Sequence, residues 1–498
     1  MILDNGTLQK LNNLREKRKQ EILNTADCLK ISGTAYFVSA DGDDSADGLT
    51  EKTAWRTLER VSNEEFKAGD GVFFRRGDTF RGVVWTKSGV SYGAYGTGDK
   101  PKFFGWDKNL ADEKLWEEYD SEHHIWKLTD KILDPGTLVF DDDRLHSIKL
   151  IPSYIHGRFV CREDETRLFD MRQEMVRDLD IYWHYEGSFT TTPSKGEDYP
   201  VPDLGLDSFG ELYLRSDKGN PGSVFSSIEA VTRRPMFGIA REDVKIDNVC
   251  IKYVGMHGIS GGGRCVSGLH VTNCEIGWIG GTIQHYLGTD PNFPEGKRGT
   301  ITRYGNAIEI YGGCDDYEVS NCYIYQSYDA GVTHQISTEG EKYTLTNIVY
   351  NDNLIEDCVY GIEYFLNMTE GDTESYMDNV QMCRNIIWNS SYGWGQQRHN
   401  TNTGAHIKGW SYENKASNFY IKDNIFGPSG FRMLHLVAKE EESCPKMSGN
   451  TYIQNAGGMI GQFGANKISE PDILIFDESA EEKIKNVFGD KDAKVYTI

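Results

Sequence analysis

Seven copies of a short motif divide the second half of the chain: DNVCI (247–251), TNCEI (272–276), SNCYI (320–324), NDNLI (351–355), CRNII (383–387), KDNIF (422–426) and GNTYI (449–453). Their last residues are separated by 25, 48, 31, 32, 39 and 27 positions. Most copies are followed by a second short stretch that contains glycine or another small residue near its start: HGIS (257–260), NAIEI (306–310), AGVTHQI (330–336), YGIEYF (360–365), YGWGQQ (392–397), SGFRML (429–434) and GGMIGQ (457–462). A period of roughly 22 to 40 residues, with two or three strands and Asn or Gly turns, is typical of a parallel β-solenoid.

The repeat is explained by the stacking of successive coils. A single coil cannot bury its own apolar side chains, so equivalent positions of successive coils lie over one another at the interstrand distance of about 4.8 Å. The motif endings then form one inward column: Ile251, Ile276, Ile324, Ile355, Ile387, Phe426 and Ile453. Cys274 and Cys322 are expected to share another column as reduced thiols. We therefore predict an all-β solenoid with about seven visible coils.

The remaining sequence predicts four further segments around these main coils, which we assign to residues 236–468. Residues 1–33 form a helical segment, with an amphipathic helix over 9–30 whose basic run Arg15 to Lys19 lies on a solvated face. Residues 34–106 read as the first coils, 107–235 as a β-rich insertion module, and 469–498 as a strand–helix cap. The long interval between Ile279 and Tyr304, which includes HYLGTDPNFPEGKRGT (285–300), predicts a loop beside one coil.

Composition excludes several classes of protein. The chain has 498 residues, with 53 Lys and Arg against 76 Asp and Glu, which gives a net charge of 53 − 76 = −23. This balance argues against nucleic acid as a partner and, more weakly, against polyanionic sugars. No apolar stretch is long enough to span a membrane, and the N-terminus has no signal-peptide pattern, so we expect a cytoplasmic protein unless a leader was removed.

The first coils carry a family resemblance. YFVSADGDDSADGL (36–49), AWRTLERV (54–61), GDGVFFRRGDTFRG (69–82) and YGAYGTGDKPKFFGW (92–106) resemble the opening of pectin-lyase-like right-handed parallel β-helix proteins. The chain is most similar to the carbohydrate-active members, including glycoside hydrolases of families 120 and 141. In these a β-rich insertion follows the first coils, and here the coils resume near NPGSVFSSIEAV (220–231). The resemblance covers about residues 34–465 and implies a right-handed β-helix and a carbohydrate-active enzyme, without specifying the substrate.

Three acids are the predicted catalytic residues. When the second strands are aligned by their opening residues, Glu309, Thr333 and Glu363 fall in one outward column, because the Ile or Val before each points inward. Glu309 and Glu363 are then about 9–10 Å apart by backbone stacking, close to the range of inverting glycosidases. Asp329, in the turn before the middle strand, offers a closer pair of about 5 Å that suits a retaining mechanism.

Substrate contacts are predicted for polar and aromatic residues on or near the same column. Strand alternation points Gln335 outward and His334 inward. Trp394 and Trp410 are of the type that stacks on sugar faces, and each is equally compatible with a place in the core. The complete set of predicted contacts is Tyr311, His334, Gln335, Tyr364, Trp394, Gln397, Arg398, His399, His406, Lys408 and His435.

Three functions follow from these residues. The first is a glycoside hydrolase that acts on plant- or host-derived oligosaccharides of neutral sugars such as xylose, fucose or galactose, with no cofactor and no metal site. The second is a polysaccharide lyase or epimerase that uses Lys408, Arg398 or a histidine as base, with Ca²⁺. The third is a non-catalytic glycan-binding solenoid. The predicted partner is an oligosaccharide substrate. The oligomeric state is not fixed by the sequence, and a homo-oligomer is one alternative.

Overall fold

The structure, a computed structural model, describes residues 4–155, 158–161, 164, 166–186, 189–191, 200–202, 204, 207–285, 302–338, 340–369, 371–372, 374–398, 404–465 and 474–498. Most of its strands belong to three long sheets in which neighbouring strands run parallel almost throughout. The prediction of an all-β protein built from parallel strands is confirmed.

Two of the long sheets have ten strands each. The strands of sheet 1 are, in order, Ala35–Val38, Gly71–Arg75, Ser91–Tyr95, Glu242–Asp247, Val266–Thr272, Cys314–Ser320, Thr344–Asn351, Tyr376–Cys383, Ala416–Lys422 and Lys446–Ser448. The strands of sheet 3 are Val84–Trp85, Phe237–Gly238, Ile259–Ser260, Ile308–Tyr311, Ala330–Ser337, Tyr360–Asn367, Ala405–Gly409, Arg432–Ala438, Met459–Ala465 and Leu474–Ile475.

Sheet 2 has thirteen strands. In the second half of the chain, each of its strands follows a strand of sheet 1 and precedes one of sheet 3, except for the C-terminal strand. Its main path is Leu145–His146, Pro135–Phe140, Ile228–Thr232, Cys250–Val254, Glu275–Ile279, Tyr323–Ser327, Leu354–Glu356, Ile386–Trp388, Ile425–Phe426, Thr451–Gln454 and Lys494–Thr497. Thr79–Arg81 and Lys102–Phe104 join this sheet at Cys250–Val254. Residues 102–104 therefore pair with residues 250–252 although the long segment 107–235 separates them in sequence.

From residue 242 the chain adds one strand to sheet 1, one to sheet 2 and one to sheet 3, and then returns to sheet 1. We call such a set of three strands a rung, and the described residues between 242 and 465 form seven rungs. Apolar side chains from all three sheets form one continuous core. The column of motif endings is in register from Ile251 to Phe426, but its next member is Tyr452 rather than the expected Ile453.

The motif forms the corner between sheets 1 and 2. In each rung one residue of this corner has a left-handed backbone, which favours Asn, Asp and Gly: Asn248, Asn273, Asn321, Asp352, Arg384, Asp423 and Gly449. The next residue is buried in every rung. It is Val249 in the first rung, a cysteine in the next two, and then Asn353, Asn385, Asn424 and Asn450.

The four buried asparagines are joined by their side-chain amides. Each Nδ2 donates to a backbone carbonyl of the preceding rung, as Asn385 does to Tyr350 O at 2.8 Å. In three of the four, Oδ1 accepts from the preceding asparagine, as Asn385 Oδ1 does from Asn353 N at 3.1 Å and Asn353 Nδ2 at 2.9 Å, whereas Asn353 Oδ1 accepts from Cys322 N at 2.9 Å. The ladder ends on the carboxylate of Asp490, which accepts from Asn450 Nδ2 at 2.7 Å. Every polar group of these corners thus finds a partner inside the core.

A second β-rich body lies in the segment 107–235. Six of its strands form a separate sheet: Trp116–Asp120, Ile125–Leu128, Ile132–Leu133, Ile148–Leu150, Asp180–His184 and Phe209–Arg215. They enclose their own apolar core. Three two-stranded pairs complete the β structure: Ser153–Ile155 with Arg158–Val160, Phe189–Thr191 with Pro200–Pro202, and Thr282–His285 with Thr302–Tyr304.

The α-helices are Asn5–Leu23, Leu58–Asn63, Met171–Glu174, Pro221–Val224 and Ala480–Val487, and the described 3₁₀ turns are Glu51–Thr53, Glu113–Leu115, Trp394–Gln397 and Glu441–Ser443. The first helix ends well before residue 30 and packs on the outer face of sheet 2 through Ile22. Its basic run is not solvated as expected: Arg15 Nε lies 3.0 Å from Glu356 Oε1, and Lys19 lies over the ring of Tyr323. The residues of the last helix close the end of the core.

Two further expectations are corrected or refined. YGWGQQ (392–397) is not a strand but contains a 3₁₀ turn, and the strand of that rung in sheet 3 is Ala405–Gly409. Cys274 and Cys322 are buried next to each other and are free thiols, as predicted. Among the described helices, none combines the length and apolar character that a membrane crossing requires.

The asparagine ladder predicts a large cost for removing one member. Asn385→Ala would remove the side-chain donor to Tyr350 O and the acceptor of Asn353 N, and it would take one of two acceptors from Asn353 Nδ2, which keeps Val319 O. We expect the free energy of unfolding, measured by urea titration, to fall by about 2–4 kcal/mol. Asn13→Ala on the exposed side of the first helix is the control and should change it by less than about 0.5 kcal/mol. Equal effects of the two substitutions would contradict the structural role of the ladder.

Candidate active site

The outward face of sheet 3 carries one continuous column of in-register residues. Strand pairing places them in the order Trp85, Gly238, Ser260, Glu309, Thr333, Glu363, Lys408, His435 and Gln462. Within Tyr360–Asn367 the inward Ile362, Tyr364 and Leu366 are almost fully buried, so the alternating Glu363 points outward. Glu309 and Glu363 are two strand spacings apart, about 9.6 Å along the sheet.

A cavity of about 560 Å³ opens over the middle of this column. It brings together the three predicted acids, Glu309, Asp329 and Glu363. Predicted contacts Tyr311, Gln335 and Arg398 also line it. The remaining lining residues are His257, Gln284, Tyr304, Asn306, Ser337, Phe365, Asn367, Trp410 and Ser411. A concave site with aromatic walls and convergent polar groups is the kind that binds a small polar molecule.

Glu363 is buried at the floor of the cavity and is 6% exposed. Burial raises the pKa of its carboxyl well above the usual value, and the negative charge of Asp329 raises it further. Arg398 and Lys408 act in the opposite direction but do not reverse the shift. The indole Nε1–H of Trp410 donates to Glu363 Oε1. Glu363 is thus a carboxyl with a raised pKa and a fixed orientation.

Asp329 is held as an anion at the side of the cavity. Arg398 Nη1 donates to its Oδ1, and the two groups form an ion pair. Burial opposes the charge on Arg398, but the nearby Asp329 carboxylate outweighs this and the pKa of the guanidinium is raised. The turn itself is fixed because Asn306 Oδ1 accepts from Ala330 N at 2.9 Å and Asp329 O accepts from Tyr360 N at 3.1 Å.

Glu309 is held by a histidine that the sequence analysis did not identify. His257 Nε2 contacts Glu309 Oε2, and His257 Nδ1 accepts the backbone N–H of Asn306 at 3.1 Å. An accepting Nδ1 leaves the ring hydrogen on Nε2, so His257 donates to the glutamate. Gln335 Nε2 is 3.4 Å from the other glutamate oxygen, Oε1. Glu309 is therefore an oriented carboxylate on the opposite side of Thr333 from Glu363.

Thr333 lies between the two glutamates in the column and is fully buried. Its Oγ1 and the Oε1 of the adjacent Gln335 have no hydrogen-bond partner among the described residues. Buried polar atoms are rarely left unsatisfied in folded proteins. Gln335 lines the cavity, whereas Thr333 is not among the lining residues.

The far wall of the cavity comes from the long interval between sheets 2 and 3. Its strand pair Thr282–His285 and Thr302–Tyr304 contributes Gln284 and Tyr304. Buried Arg303 anchors this pair by donating to Gly281 O at 2.6 Å and to Gly136 O at 2.7 Å. Asp134, paired with Lys149, accepts from Ile283 N at 2.6 Å. The stretch 286–301, which holds nearly all of the predicted side loop, falls outside the described residues.

Several predicted contact residues lie away from the cavity. His334 and Tyr364 stack on each other inside the core, and burial lowers the pKa of His334 to about 3. His406 is also internal, with Nε2 2.7 Å from Gly427 O and a pKa that burial lowers to about 4. Strand alternation places both histidines on the inward side.

The other predicted contacts divide between the edges of the site and other parts of the fold. Lys408 and His435 continue the column beyond Glu363, and the Lys408 Nζ lies 3.6 Å from the centre of the Trp410 ring. Trp394 is 2% exposed and packs against Tyr328, so it is a buried packing residue and not a residue that stacks on a sugar. Gln397 bonds Ser147 O at 2.8 Å in the β-rich insertion. His399 falls outside the described residues.

Two patterns in the sequence could have identified some of the cavity residues that the sequence analysis missed. His257 begins the HGIS stretch, which aligns with NAIEI one rung later, so extending the alignment by one rung reaches it. Ser337, Phe365 and Asn367 continue the outward alternation of the strands that carry Gln335 and Glu363. Tyr304 and Gln284 come from the irregular insertion, where no repeat predicts their placement.

The cavity holds one carboxyl whose pKa is raised by burial and two acidic side chains that are each held by a donor. Carboxyl groups in such different environments within one site suit acid catalysis combined with attack by an anion or an activated water. Within the described part of the chain, no group of three His, Cys, Asp or Glu residues has the geometry of a metal site.

Comparison with solved structures finds distant similarity. The chain is 11% identical to a GH136 lacto-N-biosidase from Eubacterium ramulus, with a TM-score of 0.37, over 99% of this chain and 71% of that one. It is 10% identical to a glycoside hydrolase, with a TM-score of 0.46, over 85% and 88% of the two chains. It is 10% identical to XylC in complex with xylose, with a TM-score of 0.39, over 93% and 83%. No protein-family model and no curated protein matches the chain.

The raised pKa of Glu363 predicts a pH-dependent cost to stability. A carboxyl whose pKa is higher in the folded state stabilises fully below its unfolded pKa, and this contribution is lost as the pH rises through the folded pKa. Glu363→Gln cannot ionise, so it should become more stable relative to wild type as the pH rises from about 4 to 7. The gain should be about 1.4 kcal/mol for each pH unit between the two pKa values.

Urea unfolding at both pH values measures this difference. Glu59→Gln, on the exposed side of helix Leu58–Asn63, is the control and should show no such pH-dependent gain. A Glu363→Gln variant that is no more stable at neutral than at acid pH would show that the glutamate is ionised in the fold.

Proposed function

We propose that the chain is a glycoside hydrolase, with Glu363 as the proton donor and Asp329 as the nucleophile. The observation that supports this most directly is the oriented Glu363, whose pKa is raised, in the same cavity as a carboxylate paired with Arg398. Hydrolysis of a glycosidic bond usually requires such a pair of carboxyl groups. Asp329 has the largest effect of any charged group on the pKa of Glu363, which supports a short separation between them.

The first step joins the enzyme to the sugar. The Glu363 proton moves to the glycosidic oxygen while the bond from that oxygen to the anomeric carbon breaks, and the Asp329 carboxylate bonds to the same carbon. Glu363 is then a carboxylate and removes a proton from water, whose oxygen displaces Asp329 and releases the sugar. Arg398 stabilises Asp329 as an anion before and after the reaction.

Glu309 serves in this proposal as the second fixed anion of the cavity. His257 and Gln335 orient it. Thr333 lies on the strand between those of Glu309 and Glu363. At a backbone separation of about 9.6 Å from Glu363, Glu309 is placed to accept sugar hydroxyls. The same separation leaves room for a water molecule, so Glu309 is the base of the alternative, inverting mechanism.

The proposed substrate is an oligosaccharide of neutral sugars such as xylose, fucose or galactose. Aromatic walls from Tyr304, Tyr311, Phe365 and Trp410 suit the apolar faces of sugar rings, while the amides and hydroxyls of the lining suit their hydroxyl groups. Arg398, the cation that lines the cavity among the described residues, is engaged by Asp329 and so is a poor receptor for a uronate.

We also propose that the three sheets wind as one right-handed parallel β-helix. In-order addition of strands to sheets 1, 2 and 3 supports this, and connections between parallel strands of one sheet are almost always right-handed. In this proposal the chain is divided into an N-terminal helical segment (1–33), the first coils (34–106), the insertion module (107–235), the main coils (236–468) and the C-terminal cap (469–498).

Substitution of the two proposed catalytic acids should separate their roles. Asp329→Asn should lower kcat by roughly 10³-fold on nitrophenyl glycosides with good and poor leaving groups alike, because the nucleophile is needed for both. Glu363→Gln should lower it by roughly 10²–10⁴-fold on poor leaving groups and far less on dinitrophenyl glycosides, which need no proton. Glu59→Gln should retain full activity. Full activity of both site variants, with their folds intact, would refute the assignment.

The configuration of the first product should decide between the two carboxylates. With Asp329 as nucleophile we expect retention at the anomeric carbon, and with Glu309 as base we expect inversion. Proton NMR of the product in the first minutes distinguishes the two anomers before they equilibrate. A product with a new carbon–carbon double bond, seen by its ultraviolet absorbance, would instead identify a lyase.

A further inference from the structure

An exposed tryptophan lies on the face of the cavity but several strands away from it. Trp85 ends the strand Val84–Trp85 of sheet 3 and is 45% exposed. It is in register with Gly238, which is in register with Ser260 and through it with Glu309. Trp85 therefore stands at the start of the column that contains both glutamates, three strand spacings or about 14 Å from Glu309.

The edge of the Trp85 ring contacts Gly238. A Cβ atom on Gly238 would be 2.2 Å from Cε3 and 2.3 Å from Cζ3 of the indole, so a side chain at this position would displace the ring. Gly238 is not among the residues with a positive φ, so its backbone alone does not require glycine. What the glycine provides is room for the benzene edge of the indole, while nearly half of the residue stays open to solvent.

The strand under the ring is also held in place. Trp85 N donates to Ser62 Oγ at 3.0 Å, and Thr86 N donates to Gly238 O at 3.0 Å. Thr86 Oγ1 donates to the same carbonyl at 3.1 Å. Scattered exposed apolar residues are normal on protein surfaces and need no explanation. A tryptophan whose ring is seated against a glycine, in the column of the candidate catalytic groups, is a more specific arrangement.

The column positions between Trp85 and the cavity carry small, uncharged residues. The two intervening positions are Gly238 and Ser260, whose small size leaves a shallow path along the sheet. An extended molecule on this path would meet an aromatic ring at one end and the acids at the other. A pyranose presents C–H groups on its faces and hydroxyls at its rim, so a flat aromatic ring and a small polar floor suit it.

From this placement we propose that Trp85 forms a distal sugar-stacking subsite, and that the substrate is an uncharged oligosaccharide extended along sheet 3 from the cavity to Trp85. The proposal rests on the proposed hydrolase function for the reaction at the cavity end. It adds the substrate's length and direction, since a single sugar in the cavity cannot reach Trp85, about 14 Å beyond Glu309.

Binding of oligosaccharides of increasing length tests this subsite. The probes are xylo- and galacto-oligosaccharides from disaccharide to hexasaccharide, titrated by calorimetry into the Glu363→Gln variant so that no probe is consumed. Affinity should rise once the chain is long enough to reach Trp85. Adding Trp85→Ala should remove this rise and weaken binding of the hexasaccharide by about tenfold, the size of one aromatic contact.

Two companion variants separate ring stacking from a general effect on the fold. Gly238→Ala keeps the tryptophan but displaces its ring, so it should cause the same loss of length dependence. Trp85→Phe should restore part of it. Tyr392→Ala removes a side chain that is 52% exposed and lies outside the column, and it should bind every probe like the parent.

Unchanged binding of every probe by Trp85→Ala, or binding of no probe by the parent, would overturn the subsite. Its failure is distinguishable from failure of the hydrolase assignment. If Asp329→Asn and Glu363→Gln retain activity while Trp85→Ala still flattens the length dependence, the catalytic assignment is wrong and the subsite stands. If those variants are inactive while Trp85→Ala changes nothing, the reverse holds.

Discussion

The buried amide ladder of Asn353, Asn385, Asn424 and Asn450 is the interaction that fixes the corners of the last four rungs, including the rung that carries Glu363. It satisfies polar backbone groups of the corner between sheets 1 and 2 and links each of these rungs to the next through paired donors and acceptors. An amide pair of this kind tolerates no change in register, because a shift of one residue would turn apolar side chains outward and polar ones inward. The rungs of Glu309 and Thr333 carry Cys274 and Cys322 at this corner, and strand pairing in sheet 3 continues the register from Glu363 to Glu309.

The cavity brings three acidic side chains together at a buried position. Burial raises the pKa of Glu363, Asp329 and Glu309 raise it further, and Arg398 and Lys408 oppose the shift. The fold tolerates Asp329 and Glu309 because each has a dedicated donor, Arg398 and His257. Buried charges that lack such partners are strongly destabilising. The donors therefore allow three acidic side chains to share one site in different environments, which acid–base chemistry requires.

The irregular parts of the chain turn an open sheet into an enclosed site. Arg303 connects the strand pair that carries Tyr304 to the backbone of Gly136 in the β-rich insertion. Gln397 connects the turn before Arg398 to Ser147 of the same insertion. Two walls of the cavity thus depend on contacts between segments that lie far apart in sequence. A regular stack of rungs alone would present the acids on an exposed face, where their pKa values would stay near normal.

The sequence by itself determined the parallel β architecture, the seven motif corners and the alignment of Glu309, Thr333 and Glu363, because these depend on periodic patterns of apolar, Asn and Gly residues. It also indicated Asp329 and Arg398. It did not determine the strand after Glu363: YGWGQQ matches the pattern of a strand opening, yet Ala405–Gly409 takes the place beside it. Strand alternation already pointed His334 inward, whereas His406 and Trp394 have the chemistry of ligand-binding residues and packing shows that they are internal. His257, Tyr304 and the contact of Trp85 with Gly238 required the tertiary structure, because strand pairing joins residues whose separation in sequence varies with every insertion.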